Sequence, residues 1–205
     1  MRPLTRYLDF AMALFGAVGL AVALWLTCAL SVERGSDLTR STIRLSMAWY
    51  AAALVCMLRL ERPGWMGQSA GGRIARWCWT WSVLVYLVHL AMAFHYFHDW
   101  SHAHAFEHTR QTSGFGEGIY LSYLFTLLWV SDVTWWWGRP DDYAQRPPLV
   151  GYSLHVFMLF IVFNGMVVFE SGAIRWAGLL MYAVLFVAWR FSPHWPIKSL
   201  GTGET

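Results

Sequence analysis

Long apolar runs separated by short polar stretches dominate the chain. Six runs can be drawn, over residues 8–31, 41–60, 74–97, 118–137, 149–169 and 173–191. Each approaches the roughly 20 residues that a helix rising ~1.5 Å per residue needs to cross a ~30 Å hydrocarbon layer. The pattern predicts an all-α, polytopic helical membrane protein with about six transmembrane spans, in one transmembrane domain over residues 1–205. Arg2 and Arg6 stand ahead of the first run, as basic residues do in a secretion signal. That run is too long for a cleavable apolar core, so a retained span is expected.

Composition strengthens this reading. Hydrophobic residues make up 57% of the 205 and charged ones only 13%, more apolar surface than a soluble domain of this size can bury. The lipid bilayer is therefore the first expected partner. A net charge of +3, scattered over the loops, carries topology information and leaves no nucleic-acid footprint. Alternating segments place Arg2, Arg6, Arg59, Arg62, Arg73, Arg76, Arg139, Arg146, Arg190 and Lys198 on one side, and Arg34, Arg40, Arg44, Arg110 and Arg175 on the other. Ten against five predicts both termini in the cytoplasm of a bacterial cell, with the protein in the inner membrane.

The smaller features mostly read as scaffold. Cys28, Cys56 and Cys78 fall inside or at the ends of apolar runs and are expected to pack between helices; no Cys-x-x-Cys-His motif offers covalent haem attachment. Ala13, Gly16, Ala17, Gly19 and Ala21 give the first run a surface that lets a neighbouring backbone come close. Residues 61–73, glycine-bearing and basic at both ends, are expected to turn on anionic headgroups. Tryptophans gather at run ends, at Trp77, Trp79 and Trp81, at Trp135, Trp136 and Trp137, and at Trp176, Trp189 and Trp195. An aromatic belt at headgroup level is the expectation for them. From Pro193 onward a short polar tail is expected.

Ionisable groups at membrane depth need a partner or a purpose, since each costs about 2.5–3.5 kcal/mol to insert. Asp132 and His155 lie at similar depth, each ~8–9 Å from the same membrane face at ~1.5 Å per residue, so they are expected to be able to meet. Such a pair fastens two helices, orients a ligand or relays protons. His89 stands about 9 Å, two helical turns, below His95 and off its face, as a further candidate.

Chemistry concentrates in residues 95–108, a histidine-rich extension of the third span that holds five of the chain's eight histidines. On a continuous helix, roughly 100° per residue puts His95, His98, Asp99 and His102 on one face and His104, Glu107 and His108 on another. Neutral imidazoles with carboxylates suit iron, copper or zinc. His95, His98, Asp99 and His102 are the predicted ligands, with Glu117 at the entrance to the fourth run as a supplier from outside the segment, and His104, Glu107 and His108 as a second group. A b-type haem is the lesser alternative, because His89 and His155 fall at opposite depths.

His98-x-x-x-His102 and His104-x-x-x-His108 each resemble a single histidine box of the membrane di-iron hydroxylases and desaturases. Those enzymes also carry His-x-x-His-His boxes, which this chain lacks, and they place them at the cytoplasmic face. The use of several histidines with an aspartate and a serine near a membrane surface is similar to the intramembrane zinc hydrolases related to ceramidases. A metal site at the extracytoplasmic face, opening at the bilayer surface, leads to the expectation of a metal-dependent oxidoreductase or hydrolase acting on a lipid-soluble substrate. The rival expectation is a non-catalytic membrane subunit or a metal or proton transporter. It would capture its cargo on residues 95–108, use Asp132 and His155 as a relay, and work beside other membrane subunits.

Overall fold

Where the apolar runs end is decided by local chemistry. In the computed structural model, which describes residues 2–192, the elements are α1 (Arg2–Leu30), α2 (Arg34–Met57), α3 (Arg62–Trp65), α4 (Ala70–Phe97), α5 (His102–Ser113), α6 (Gly118–Gly138), α7 (Pro140–Ala144) and α8 (Pro148–Phe163). A π-helical turn (Asn164–Val168) then extends α8, and α9 (Gly172–Arg190) closes the order. No strand occurs among the described residues. Ser69 caps α4 by accepting the Gly72 N–H at 3.0 Å, and Pro140 and Pro148 open α7 and α8 with φ already set for a helix. The tail with Pro193, Trp195 and Lys198 lies outside the described residues.

Four helices are long and apolar enough to cross a membrane: Arg6–Leu30, Ala70–Phe97, Pro148–Val168 and Gly172–Arg190. The helices α2 and α6, over the other two expected runs, have 24 and 21 residues, so length is not what separates them. Arg34, Asp37, Arg40 and Arg44 dilute the first, and Asp132 with the tyrosines, tryptophans and hydroxyls dilutes the second.

Packing centres on α4, which shares its longest interface with α2. Ser46 of α2 donates to the Ser82 carbonyl of α4 at 2.8 Å, and around that bond Tyr50, Trp79, Val83, Tyr86, Phe125 and Trp129 build the buried core from α2, α4 and α6. The first helix lies against α4 through Gly16, where an added Cβ would stand 2.0 Å from the Trp81 ring. Trp81 donates to the Met12 carbonyl at 3.1 Å, while Arg73 and Trp77 both bind Asp9. Of the expected small-residue surface, then, Gly16 is the close approach; Gly19 meets nothing within 4 Å.

The tryptophans divide, which corrects the expectation of a belt for all of them. Trp79 and Trp136 are fully buried, together with Trp129, while Trp137, Trp176 and Trp189 are exposed. Trp79 is packed against Tyr50 and Trp129, and Trp136 against Trp65 and Tyr143, so nearness to the end of an apolar run does not by itself put an indole at the surface.

Candidate functional site

The histidine segment does not continue α4. The helix stops at Phe97, His98 occupies its C-cap with φ −126°, and Asp99 and Trp100 take left-handed φ of 48° and 56° before α5 begins. Ser101 opens α5 as N-cap and accepts the His104 N–H at 3.3 Å, and the Trp100 N–H returns to the Phe94 carbonyl at 3.1 Å. Such φ values are disfavoured in residues with a Cβ, so the turn is strained at two consecutive positions. The two faces expected on a continuous helix are therefore recombined.

His98 now meets His108, their ring centroids 5.1 Å apart. Asp99 Oδ2 stands 3.7 Å from His104 Nδ1, so this loose pair joins a residue of each expected face. Phe97, His104, Glu107, His108 and Gln111 line an open concavity of about 350 Å³ beside them. His98 Nδ1 is buried and forms no hydrogen bond of normal geometry. Burial, and then the nearness of His108, holds the His98 imidazole below its ordinary pKa, with the Phe97 backbone opposing and His104 adding a smaller push the same way. A neutral ring with a free nitrogen is the form that binds metal.

The remaining candidates go elsewhere. His102 bonds the Tyr123 hydroxyl of α6 at 2.9 Å and lies against the Tyr120 ring, so it ties α5 to α6. His95 is exposed against Tyr96. Glu117 is exposed at the N-cap of α6 and, among the described residues, has no hydrogen bond or ion pair to a histidine. Glu107 is engaged by Arg110 at 2.6 and 2.8 Å and by Gln111 at 2.9 Å, which holds its carboxyl down at about 2. His89 Nδ1–H donates to the Thr39 carbonyl of α2, 3.0 Å away, and serves the α2–α4 interface. Among the described residues no group of three or more His, Cys, Asp or Glu side chains stands ready to hold a metal ion.

Asp132 and His155 share a neighbour but not a bond. Both touch Trp79: its indole N–H donates to Asp132 Oδ2 at 2.8 Å, and the His155 ring packs against its edge at 5.7 Å. The partners of Asp132 are instead the Tyr143 hydroxyl at 2.9 Å and Arg146 at 3.4 Å, with side chains 4% and 10% exposed across the ion pair. Tyr143 stacks on Trp136 at 9° between planes, and Arg146 lies 3.7 Å over the Tyr143 ring. Arg146 and Tyr143 had no signal in the sequence beyond their place in a short polar turn; α7 folds that turn back under Asp132. No family model matches this chain, and neither a curated protein nor a solved structure is found to be similar to it.

Proposed function

We propose that this protein is a non-catalytic membrane subunit that captures a borderline divalent transition-metal ion, such as zinc or copper, at the elbow between α4 and α5. His98 and His108 are the founding pair, and His104 and Asp99 complete the set by side-chain rotation on binding. The observation that carries this is the His98–His108 pair, with its ring centroids 5.1 Å apart and a buried, unpartnered Nδ1. Two imidazoles bound tetrahedrally to zinc at ~2.0–2.1 Å would place their centroids about 5.2 Å apart, so this spacing needs little adjustment. Backbone strain at Asp99 and Trp100 marks the same turn, and strain of this kind gathers at ligand clamps.

Capture is favoured over catalysis by the state of the other candidates. A catalytic metal site holds about three protein ligands in place before substrate arrives. Here two imidazoles are placed and the rest must move. Asp132, which a relay from the elbow would need, is committed to Trp79, Tyr143 and Arg146.

In the membrane, α2 and α6 join the four more apolar helices to give six crossings, with both termini in the cytoplasm of a bacterial inner membrane and the elbow on the outer face. Both reach spanning length, with 24 and 21 residues. The test is calorimetric titration of tag-free protein in mild detergent with zinc and with copper. One ion per chain is expected, with affinity at least tenfold weaker in His98→Ala and His108→Ala and unchanged in His95→Ala. Equal affinity in all four proteins, or none, overturns the proposal.

A further inference from the structure

At the opposite end of α4 lies a buried cation that, among the described residues, no carboxylate contacts. Arg76 is 7% exposed, yet among the described residues it forms no ion pair. Its one hydrogen bond, from Nη1 to the Trp136 carbonyl, is 3.4 Å long; its Cζ sits 4.0 Å over the Trp137 ring; and its Nε is buried without a partner. The neighbouring basic residues are served differently. Arg73 holds Asp9, and Arg146 holds Asp132. A guanidinium has five N–H donors, so most of Arg76's capacity is unspent. The Trp136 carbonyl belongs to the last turn of α6, whose partial negative charge answers only part of a full positive one.

The guanidinium faces the loop that leads into α4. At Gly67, where φ is 71°, an added Cβ would stand 3.1–3.3 Å from Arg76 Nη1, Nη2 and Cζ. The Gly67 backbone therefore packs directly on one side of the guanidinium, with no side chain between them. It lies at the N-terminus of a 28-residue helix, the end that favours anions. Arg73 Nε, also buried and unpartnered, is one turn away on the same helix. Arg73, Arg76 and Asp9 leave one positive charge in excess. The Trp77 and Trp137 rings meet here at 5.1 Å, as indoles do at headgroup level.

We infer that Arg76, with Arg73, binds a phosphate oxyanion at the α4 N-terminus beside the Gly67 turn, and that the phosphodiester of a membrane lipid supplies it. A phosphodiester carries the single negative charge that the cluster lacks, and a planar guanidinium matches its two free oxygens.

The inference is independent of the metal elbow and is tested on the full chain. Delipidated protein in an uncharged detergent is titrated with dioleoyl phosphatidylglycerol, with dioleoylglycerol, which has the same chains and no phosphate, and with inorganic phosphate. Binding is read by native mass spectrometry and by the thermal unfolding midpoint. One phosphatidylglycerol per chain and a raised midpoint are expected, with no effect of dioleoylglycerol. Arg76→Gln should weaken phosphatidylglycerol at least tenfold, and Arg175→Gln, a basic residue near the other membrane face, should leave it unchanged. Arg76→Lys keeps the charge and loses the fork, so an intermediate affinity is expected from it even if the Gln variant does not fold. An Arg76-dependent shift with inorganic phosphate alone supports the oxyanion site and assigns it to free phosphate. Phosphatidylglycerol binding that both Arg76 variants retain in full, or that dioleoylglycerol reproduces, overturns the inference.

Discussion

Two polar clusters beside α4, one at Asp132 and one at His98, put their groups to opposite uses. Around Asp132 they are sunk in aromatic rings and spent on one another: an indole, a phenol and a guanidinium converge on one carboxylate, and Tyr143 stacks on Trp136 beneath them. Around His98 they are left open, on a strained turn where a ring nitrogen has no partner. A buried charge is tolerated when every bond it needs is made inside the protein. Near water the same pressure is absent, so unspent imidazoles survive there, available to a ligand.

The comparison is broken most forcefully at Asp132. Asp132→Ala leaves Arg146 buried without its anion and removes the acceptor of Trp79 and Tyr143, a loss of about 3–5 kcal/mol for a buried pair. A fall in the detergent unfolding midpoint measures it. Metal uptake per folded molecule should not change, and a parallel loss of uptake would join two regions that are separate here. At the elbow the double variant His98→Ala/His108→Ala should do the reverse, removing metal binding while altering stability by less than about 0.5 kcal/mol.

A smaller effect tests the strain. Asp99→Gly relieves a left-handed residue, which costs about 1–2 kcal/mol, against the extra entropy of glycine. Equilibrium unfolding should show a gain of about 0.5 kcal/mol by the same reckoning; a loss would mean that the Asp99 contact with His104 outweighs the strain.

The smallest effect is electrostatic. Hydrogen bonds from Arg110 and then Gln111 hold Glu107 near a pKa of about 2, below its unfolded value, so its contribution to α5 is present above the ordinary carboxylate range and is lost as pH falls through about 2. Carboxyl carbon NMR should find that low midpoint, and Arg110→Ala should move it upward.

Much of the architecture was legible because it depends on local quantities. Run length, the Ser69 cap and the prolines at 140 and 148 act through the nearest few residues, so helix positions follow from them directly. The nearness of Asp132 and His155, which both touch Trp79, was legible for the same reason, since rise per residue is constant. Their failure to bond was not, because Arg146 and Tyr143 reach Asp132 only once α7 has folded back. The break at Asp99 escaped for a different reason. Non-glycine residues adopt positive φ against their own preference, held there by the Trp100 bond to Phe94 and by the packing of α5 on α6.

The sequence by itself thus determined a helical scaffold with runs long and apolar enough to cross a membrane, and a histidine-dense segment at one end of its third long apolar run. Only the tertiary structure decided which histidines meet, which acid is neutralised and which arginine is left without an anion. Those outcomes depend on contacts between residues tens of positions apart, and such contacts are selected by packing and desolvation across helices, which periodicity along one helix does not encode.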